Sequence, residues 1–383
     1  MLETPTFSSE TDGLRVRWPD GHEAWFHHFW LRENCHCGRC THHDAWERIL
    51  DFRAIPLDLA PASIHPDDQG LRIDWPEHPA PCSGTWFSWN FLDSHRTEPE
   101  ARRTRKRRPV PWRAGEFGVP DQTVDCRDFQ ASDEGLRRAL DLVENRGFCI
   151  IDGVPDRDRG VVSVAERIAP VEDSHFGRTF DVRSKPVAEN LAYTPRALHP
   201  HNDLASRQHL PGVQFLHCRV NDATGGESVF VDSLAVADEL RTTAPEAFEV
   251  LGTEAVTHSS RAGTWDVVNR GPIIEVDADG DVTGTRFHPA LLGPVDVPPD
   301  RMGAFYSAYR AMLEIAIDPG LQFEFRLEAG QCQVFDNQRV MHARREFDPS
   351  SGARLLQGCY VSLDGLRSRS AVLQRRGADF RMC

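Results

Sequence analysis

Three segments lying far apart in this 383-residue chain constrain it more than any other feature: His201-Asn202-Asp203, then His342, then Arg354 twelve residues further on. Fe(II) that is to activate O2 must keep part of its coordination sphere open, and two imidazoles with one carboxylate on a single face do that. In an extended chain residues i and i+2 point to the same side, so His201 and Asp203 are expected to converge on one metal from a strand. Pro200 favours this, because a proline keeps the residue before it out of helical geometry. The third ligand must come from a strand remote in sequence, and residues 338–343, following the apolar stretch 332–335, bring His342. Only a fold that makes distant strands neighbours can satisfy the pattern.

Arg354 lies in residues 353–361, which alternate loosely between turn-forming stretches and read as another strand. A guanidinium presented from a barrel interior is costly unless it meets a carboxylate in bidentate fashion. The distal carboxylate of 2-oxoglutarate is the expected partner. His-x-Asp alone recurs by chance in a chain with 17 histidines. The order His-x-Asp, His, Arg on strand-like segments is far more specific.

These residues lie among stretches that resemble the gamma-butyrobetaine and trimethyllysine hydroxylases, within the taurine-dioxygenase-like Fe(II)/2-oxoglutarate oxygenases. The resemblance spans nearly the whole chain and is strongest at residues 190–194, 211–218, 225–228 with 231–232, and 335–342. It implies that His201, Asp203 and His342 bind iron, that Arg354 clamps 2-oxoglutarate, and that Ser228 helps hold that carboxylate. Ser228 reads equally well as a turn serine after two glycines.

Cys35, Cys37 and Cys40 bring three thiols into six residues, as a structural Zn(II) site would with one further ligand. The resemblance points to His78 as that ligand, while His36, His42 and His43 are open by spacing, and Cys82 lies close to His78. Disulfides are the competing reading. No basic and apolar leader opens the chain, so a cytoplasmic protein with metal-binding cysteines is expected. The dispersed cysteines need only packing.

The net charge of −14 argues against a general nucleic-acid binder. Residues 102–108 carry six basic side chains in seven, which could meet nucleic acid or an anionic surface; a solvated linker or an interdomain ion-pair segment fits their position better. No apolar stretch reaches the ~18 residues of a membrane helix. The run sets the expected division: a zinc-binding domain over 1–100, a basic linker over 101–120 and an oxygenase domain over 121–383. Segments 14–18 and 71–75 alternate in a similar way and read as strands of a small β-rich domain. Helices are expected over 132–145, from Asp232 or Ser233 through Leu240, and over 300–317; 148–151 reads as a buried strand. Elsewhere strands dominate, so the expected fold is mainly β with flanking helices, a double-stranded β-helix or jelly roll. No internal repeat is expected.

The resembled family holds trimethylammonium groups in aromatic cages, whose faces attract a cation that has no hydrogen bond to give. Phe176, Phe180, Tyr193 and Tyr360 stand at matching positions. Two departures stand out. Phe176 and Phe180 replace a tyrosine and a tryptophan, and residues 284–289 carry Arg286 and His288 in place of asparagines. A cationic Arg286 with a protonated His288 would suit a phosphonate at least as well as a carboxylate. Asn190 could donate to the same end.

The expected reaction is 2-oxoglutarate- and O2-dependent hydroxylation of a small quaternary-ammonium acid, either gamma-butyrobetaine-like or a trimethylammonium phosphonate such as trimethylaminoethylphosphonate, giving the alcohol, succinate and CO2. The resemblance also implies a tendency to homodimers, without an interface signature in the sequence. Two other classes compete: a cupin-like metalloenzyme indifferent to 2-oxoglutarate, and a non-catalytic zinc module binding an anionic partner through residues 102–108.

Overall fold

The computed structural model describes residues 4–377 except 78–80, 108, 186, 187 and 189. The chain divides into two compact units at the 108/109 junction. Arg102, Arg103 and Arg105 lie on the helix Pro99–Arg105 in the first unit. Trp112 is buried in the second, its backbone N–H donating to Asp232 and its indole to the Arg146 carbonyl. The expected 101–120 segment is thus shared between the units.

The first unit corrects the expectation of no internal repeat. Strands Thr6–Ser9, Gly13–Arg17 and Glu23–His27 lead into the helix His28–Glu33. Strands Ser63–Pro66, Gly70–Asp74 and Gly84–Ser88 lead into the helix Trp89–Ser94. Each trio is an antiparallel sheet in the same order. Leu14, Val16, Phe26 and Leu31 from one copy and Leu71, Ile73, Phe87 and Leu92 from the other fill one core. Both copies need glycine where the middle strand starts. A Cβ on Gly13 would lie 2.5 Å from the Trp25 ring, and one on Gly70 2.1 Å from the Phe87 carbonyl oxygen. Each copy alone would leave an apolar face uncovered, and pairing buries both.

The second unit is built on two antiparallel sheets. The larger runs in the order Phe180–Val182, Arg354–Val361, Val213–Asn221, Cys332–Asp336, Phe148–Asp152, Thr123–Asp125, the last pair being parallel. The smaller runs Leu198–His201, Val340–Arg344, Ser228–Asp232, Gln322–Phe325. Phe148, Leu216, Phe335 and Leu356 from the larger sheet share one core with Phe230, Phe325 and Val340 from the smaller, so the sheets face each other. Strand alternation sends Val213 and Phe215 the other way, against the helices Asp133–Arg146 and Gly160–Ile168. The helices Ser233–Thr243, Pro245–Thr253 and Met302–Ala316 cover the smaller sheet. Local chemistry sets these elements. Ser132 caps Asp133–Arg146 by accepting from the Gly135 N–H, and the helix stops at Gly147 with φ +84°. Asp232 caps Ser233–Thr243 through the Leu234 N–H.

Candidate active site

Sheet register brings the two imidazoles together. His201, the last residue of its strand, pairs directly with His342 across the antiparallel ladder, and the ring centroids lie 4.2 Å apart. Asp203 arrives by a different route from strand alternation, because the strand ends at His201 and the carboxylate stands in the turn beyond it. Asn202 and Asn337, both fully buried, fix that turn. The Asn337 amide oxygen accepts from the Asp203 N–H at 2.7 Å, and its amide nitrogen donates to the Asp203 carbonyl at 3.1 Å. Asn202 donates to the Asn337 carbonyl and accepts from Thr285 and the Phe287 N–H. Leu204 follows with φ +58°, the left-handed conformation that turns the chain.

One oxygen of Asp203 faces both histidines: Oδ1 lies 3.4 Å from His201 Nε2 and 3.7 Å from His342 Nε2. Ligands about 2.1 Å from a common ion, at right angles, stand about 3 Å apart, so the spacing fits a metal after a small contraction. His201 Nδ1 lies 2.8 Å from the His199 carbonyl, which places the proton there and leaves Nε2 free. Burial and neighbouring His201 push His342 down to about 3, so it is neutral, as a ligand must be. Burial disfavours ionisation of Asp203, yet His342 and His201 outweigh it and hold the carboxyl below its usual range. His288 also brings a ring nitrogen within 4.8 Å of His201 and Asp203. We favour His342 as the third ligand, since its Nε2 addresses the same Oδ1 from a strand in register with His201.

Asp203 Oδ2 is turned away from the imidazoles and accepts from Gln214 Nε2 at 2.7 Å and the Tyr360 hydroxyl at 2.9 Å. Gln214 and Asn337 lie in stretches that carry the family resemblance, but their roles were hidden, because an amide in a strand or turn looks like any other until its partner is known.

A pocket opens beside the triad, lined among others by Phe176, Phe180, Tyr193, Ser228, Arg354 and Tyr360. The Arg354 guanidinium sits over the Phe347 ring at 5.4 Å, and its Nε has no partner among the described residues. Burial lowers its affinity for its proton from an ordinary arginine's. Arg344 in the same wall also has an Nε without a partner among the described residues, but its terminal nitrogens donate to the carbonyls of Ala192, Thr194 and Arg196. On the aromatic side Phe180 stacks on Tyr360 at 5.2 Å, and Phe176 lies 6.0 Å from Phe180. Trp265, which sequence reasoning missed, meets Phe176 edge-on at 5.4 Å from a hairpin remote in sequence. The Lys185 ammonium stands 3.8 Å over the Tyr193 ring. Asn190 lines the pocket while its amide oxygen caps the turn Leu191–Tyr193 through the Ala192 N–H.

Two residues depart from the expected substrate-anion site. Arg286 is buried and donates to the carbonyls of Ala205, Arg207 and Gln208, so it braces the turn after Asp203 rather than entering the pocket. His288 does line the pocket, but burial and His201 push it well below the usual histidine range; it is neutral, against the protonated state expected.

In the first unit the thiols of Cys35, Cys37, Cys40 and Cys82 lie within 4.8 Å of one another. Cys82 Sγ stands 3.6 Å from Cys35 Sγ and 3.4 Å from Cys40 Sγ, beyond a disulfide bond length. Buried Arg32 donates to Cys40 Sγ at 3.6 Å and to the Cys82 carbonyl at 3.0 Å. Hydrogen bonds from Cys35 first, then Arg32 and Cys82, hold the Cys40 thiol down to about 5 despite its burial. His78, the expected fourth ligand, lies outside the described residues. Four clustered thiols are a donor set of the kind that Zn(II) takes in structural sites.

This site and the comparisons with known proteins together define an Fe(II)- and 2-oxoglutarate-dependent dioxygenase. Residues 106–360 match the taurine catabolism dioxygenase TauD, TfdA family, and residues 6–93 match the gamma-butyrobetaine hydroxylase-like N-terminal family. The chain belongs to the TauD/TfdA family, in its branch of gamma-butyrobetaine and trimethyllysine hydroxylases. It is 38% identical to gamma-butyrobetaine dioxygenase of Pseudomonas sp. (strain AK-1), over 96% of this chain and 95% of the relative. It is 27% identical to human mitochondrial trimethyllysine dioxygenase, over 91% of this chain and 82% of the relative. Among solved structures, an asparagine oxygenase complex superposes with a TM-score of 0.48 at 17% identity, covering 65% of this chain and 87% of the other. No helix among the described residues is long and apolar enough to cross a membrane.

Proposed function

We propose that the protein hydroxylates an aliphatic C–H bond of a small quaternary-ammonium acid. The observation that carries this reading is one pocket with a convergent His201–Asp203–His342 set at its base, the half-buried Arg354 with a partnerless Nε on one side and aromatic faces on the other. His201, Asp203 and His342 would hold Fe(II), which with O2 and 2-oxoglutarate would supply the oxidising power, the co-substrate being converted to succinate and CO2. Arg354 receives the distal carboxylate of 2-oxoglutarate as a charge-assisted pair, with Ser228 as a second donor. Phe176, Phe180, Tyr193 and Tyr360 hold the trimethylammonium group, Trp265 backing Phe176. The cage sets which hydrogen faces the metal, and that orientation decides the product. The two facing sheets form a double-stranded β-helix, and Cys35, Cys37, Cys40 and Cys82 hold a structural Zn(II) in the first unit.

The acidic end of the substrate is a carboxylate or a phosphonate. Arg286 and His288 lend no positive charge to the pocket, which removes the reason for preferring the doubly charged anion. The test is anaerobic reconstitution with Fe(II), then succinate formation from 2-oxoglutarate and O2 with gamma-butyrobetaine, trimethyllysine, glycine betaine or trimethylaminoethylphosphonate. Stimulation by one of them is expected and names the anion. Succinate formed at one rate in every well would discard the ammonium cage, and product formed without 2-oxoglutarate would move the protein to the cupin-like class.

A further inference from the structure

Asp203 is offered asymmetrically. Its Oδ1 faces the imidazoles while its Oδ2 already accepts from two buried side chains, Gln214 at 2.7 Å and Tyr360 at 2.9 Å. Each carboxylate oxygen has about two lone-pair positions, so two donors fill Oδ2. The donors are not incidental neighbours. Gln214 and Tyr360 sit directly opposite each other on the paired strands Val213–Asn221 and Arg354–Val361. The opposite edge of the same turn is held by Asn337. The carboxylate is therefore gripped through its backbone on one side and through Oδ2 on the other.

A carboxylate free to rotate can bind a metal through both oxygens and so occupy two coordination positions. An iron that must accept both oxygens of 2-oxoglutarate's keto-acid end and then O2 has none to spare beside three protein ligands. We propose that Gln214 and Tyr360 clamp Oδ2 of Asp203, so that the carboxylate presents Oδ1 alone and one coordination position stays open. Both act as positioning residues. Tyr360 does so with the side chain whose ring, stacked on Phe180, also walls the pocket. The inference rests on the proposed assignment of His201, Asp203 and His342 as the metal ligands.

Co(II) tests it without turnover, in the full chain with the four-thiol cluster already filled by Zn(II), by titration of metal affinity, by the visible absorption of the bound ion, and by 2-oxoglutarate affinity of the Co(II) form. Tyr360→Phe and Gln214→Met each delete one donor with little change of shape. Each is expected to weaken Co(II) binding about tenfold, the lower end for loss of an outer hydrogen bond to a ligand. Each should also weaken the visible bands, as coordination number rises, and lower 2-oxoglutarate affinity. A structural role alone would lower the unfolding temperature and leave the spectrum of the bound ion unchanged, overturning the clamp. Because each donor makes the prediction independently, Gln214→Met decides the case if Tyr360→Phe does not fold. No Co(II) bound by the unaltered protein, or undiminished binding by Asp203→Ala, would overturn the ligand assignment itself.

Discussion

A guanidinium held partly out of water without a carboxylate is a cost to folding that a ligand can relieve, and Arg354, half-buried beside the triad with its buried Nε lacking a partner among the described residues, is in that state. Arg354→Ala should therefore act chiefly on 2-oxoglutarate. Losing a charge-assisted pair of about 1.5–3 kcal/mol corresponds to roughly a 10- to 100-fold higher KM for 2-oxoglutarate, with the KM of the ammonium substrate little changed; an unchanged 2-oxoglutarate KM would contradict the role. Asp203→Ala and His201→Ala should abolish iron-dependent turnover with the circular dichroism spectrum retained, and residual turnover would remove them from the ligand set. Acid acts through the imidazoles. His342 is pushed down to about 3 and His258 to about 4, both first by burial, so below pH 6.5 the unfolded chain binds protons that the folded metal-free protein refuses. Stability is then complete above the unfolded pKa and falls with pH, by up to about 1.4 kcal/mol per pH unit for each group. Urea denaturation of metal-free protein at pH 7.5, 6.0 and 5.0 checks this, and a midpoint independent of pH would refute it. At this scale the proposed ligands and Arg354 were legible because metal and carboxylate chemistry restrict residue type. Gln214, Asn337 and Trp265 were not, since glutamine, asparagine and tryptophan act here only through the partners the fold gives them.

Elements announce themselves in sequence where local chemistry dictates their ends, and stay hidden where tertiary contact does. The helices Asp133–Arg146 and Ser233–Thr243 follow from Ser132, Gly147 and Asp232, all visible as caps. The turn carrying Asp203 does not. Alternation predicted a continuing strand, but Asn202 and Asn337 bind the backbone and end it, a pairing across more than a hundred residues. Arg286 was misplaced for the same reason: its sequence neighbours could not reveal that three carbonyls of that turn would claim its guanidinium. Gly358 shows how an element shapes the pocket. A Cβ there would lie 2.4 Å from the Phe180 ring and 2.9 Å from Leu216, so the strand Arg354–Val361 must be bare at that point for Phe180 to lie across it. Gly358→Ala should displace Phe180 and open the aromatic wall. The expected outcome is a several-fold higher KM for the ammonium substrate, with the KM for 2-oxoglutarate within about twofold, since Arg354 lies four residues away along the strand. An equal rise in both constants would mean that the strand itself, rather than the wall, had moved.

At the scale of the whole molecule, the duplication in the first unit was half visible, as the alternation shared by residues 14–18 and 71–75. It escaped as a repeat because the second and third strands are six residues apart in one copy, from Arg17 to Glu23, and ten in the other, from Asp74 to Gly84. The longer connection is what delivers Cys82 to the three thiols that follow the first copy's helix. A metal held by these four thiols would therefore tie one copy to the other, which neither sheet does alone. A structural zinc contributes on the order of 10–16 kcal/mol of apparent binding free energy to folding, comparable to the entire net stability of ordinary domains, about 5–15 kcal/mol. Removal should thus unfold the first unit rather than merely loosen it. One zinc per chain is expected by metal analysis. Strong chelation should expose the tryptophans concentrated in this unit, among them the buried Trp18, Trp75 and Trp89, to quenching by iodide, and Cys82→Ser should have the same effect without chelator. Arg32→Met, which removes the cation beside Cys40, should lower zinc affinity by a smaller factor, about tenfold, leaving the unit folded when zinc is in excess. If Cys82→Ser kept full zinc content and quenching did not rise, the fourth thiol would not be a ligand, and the link between the copies would rest on their shared apolar core alone.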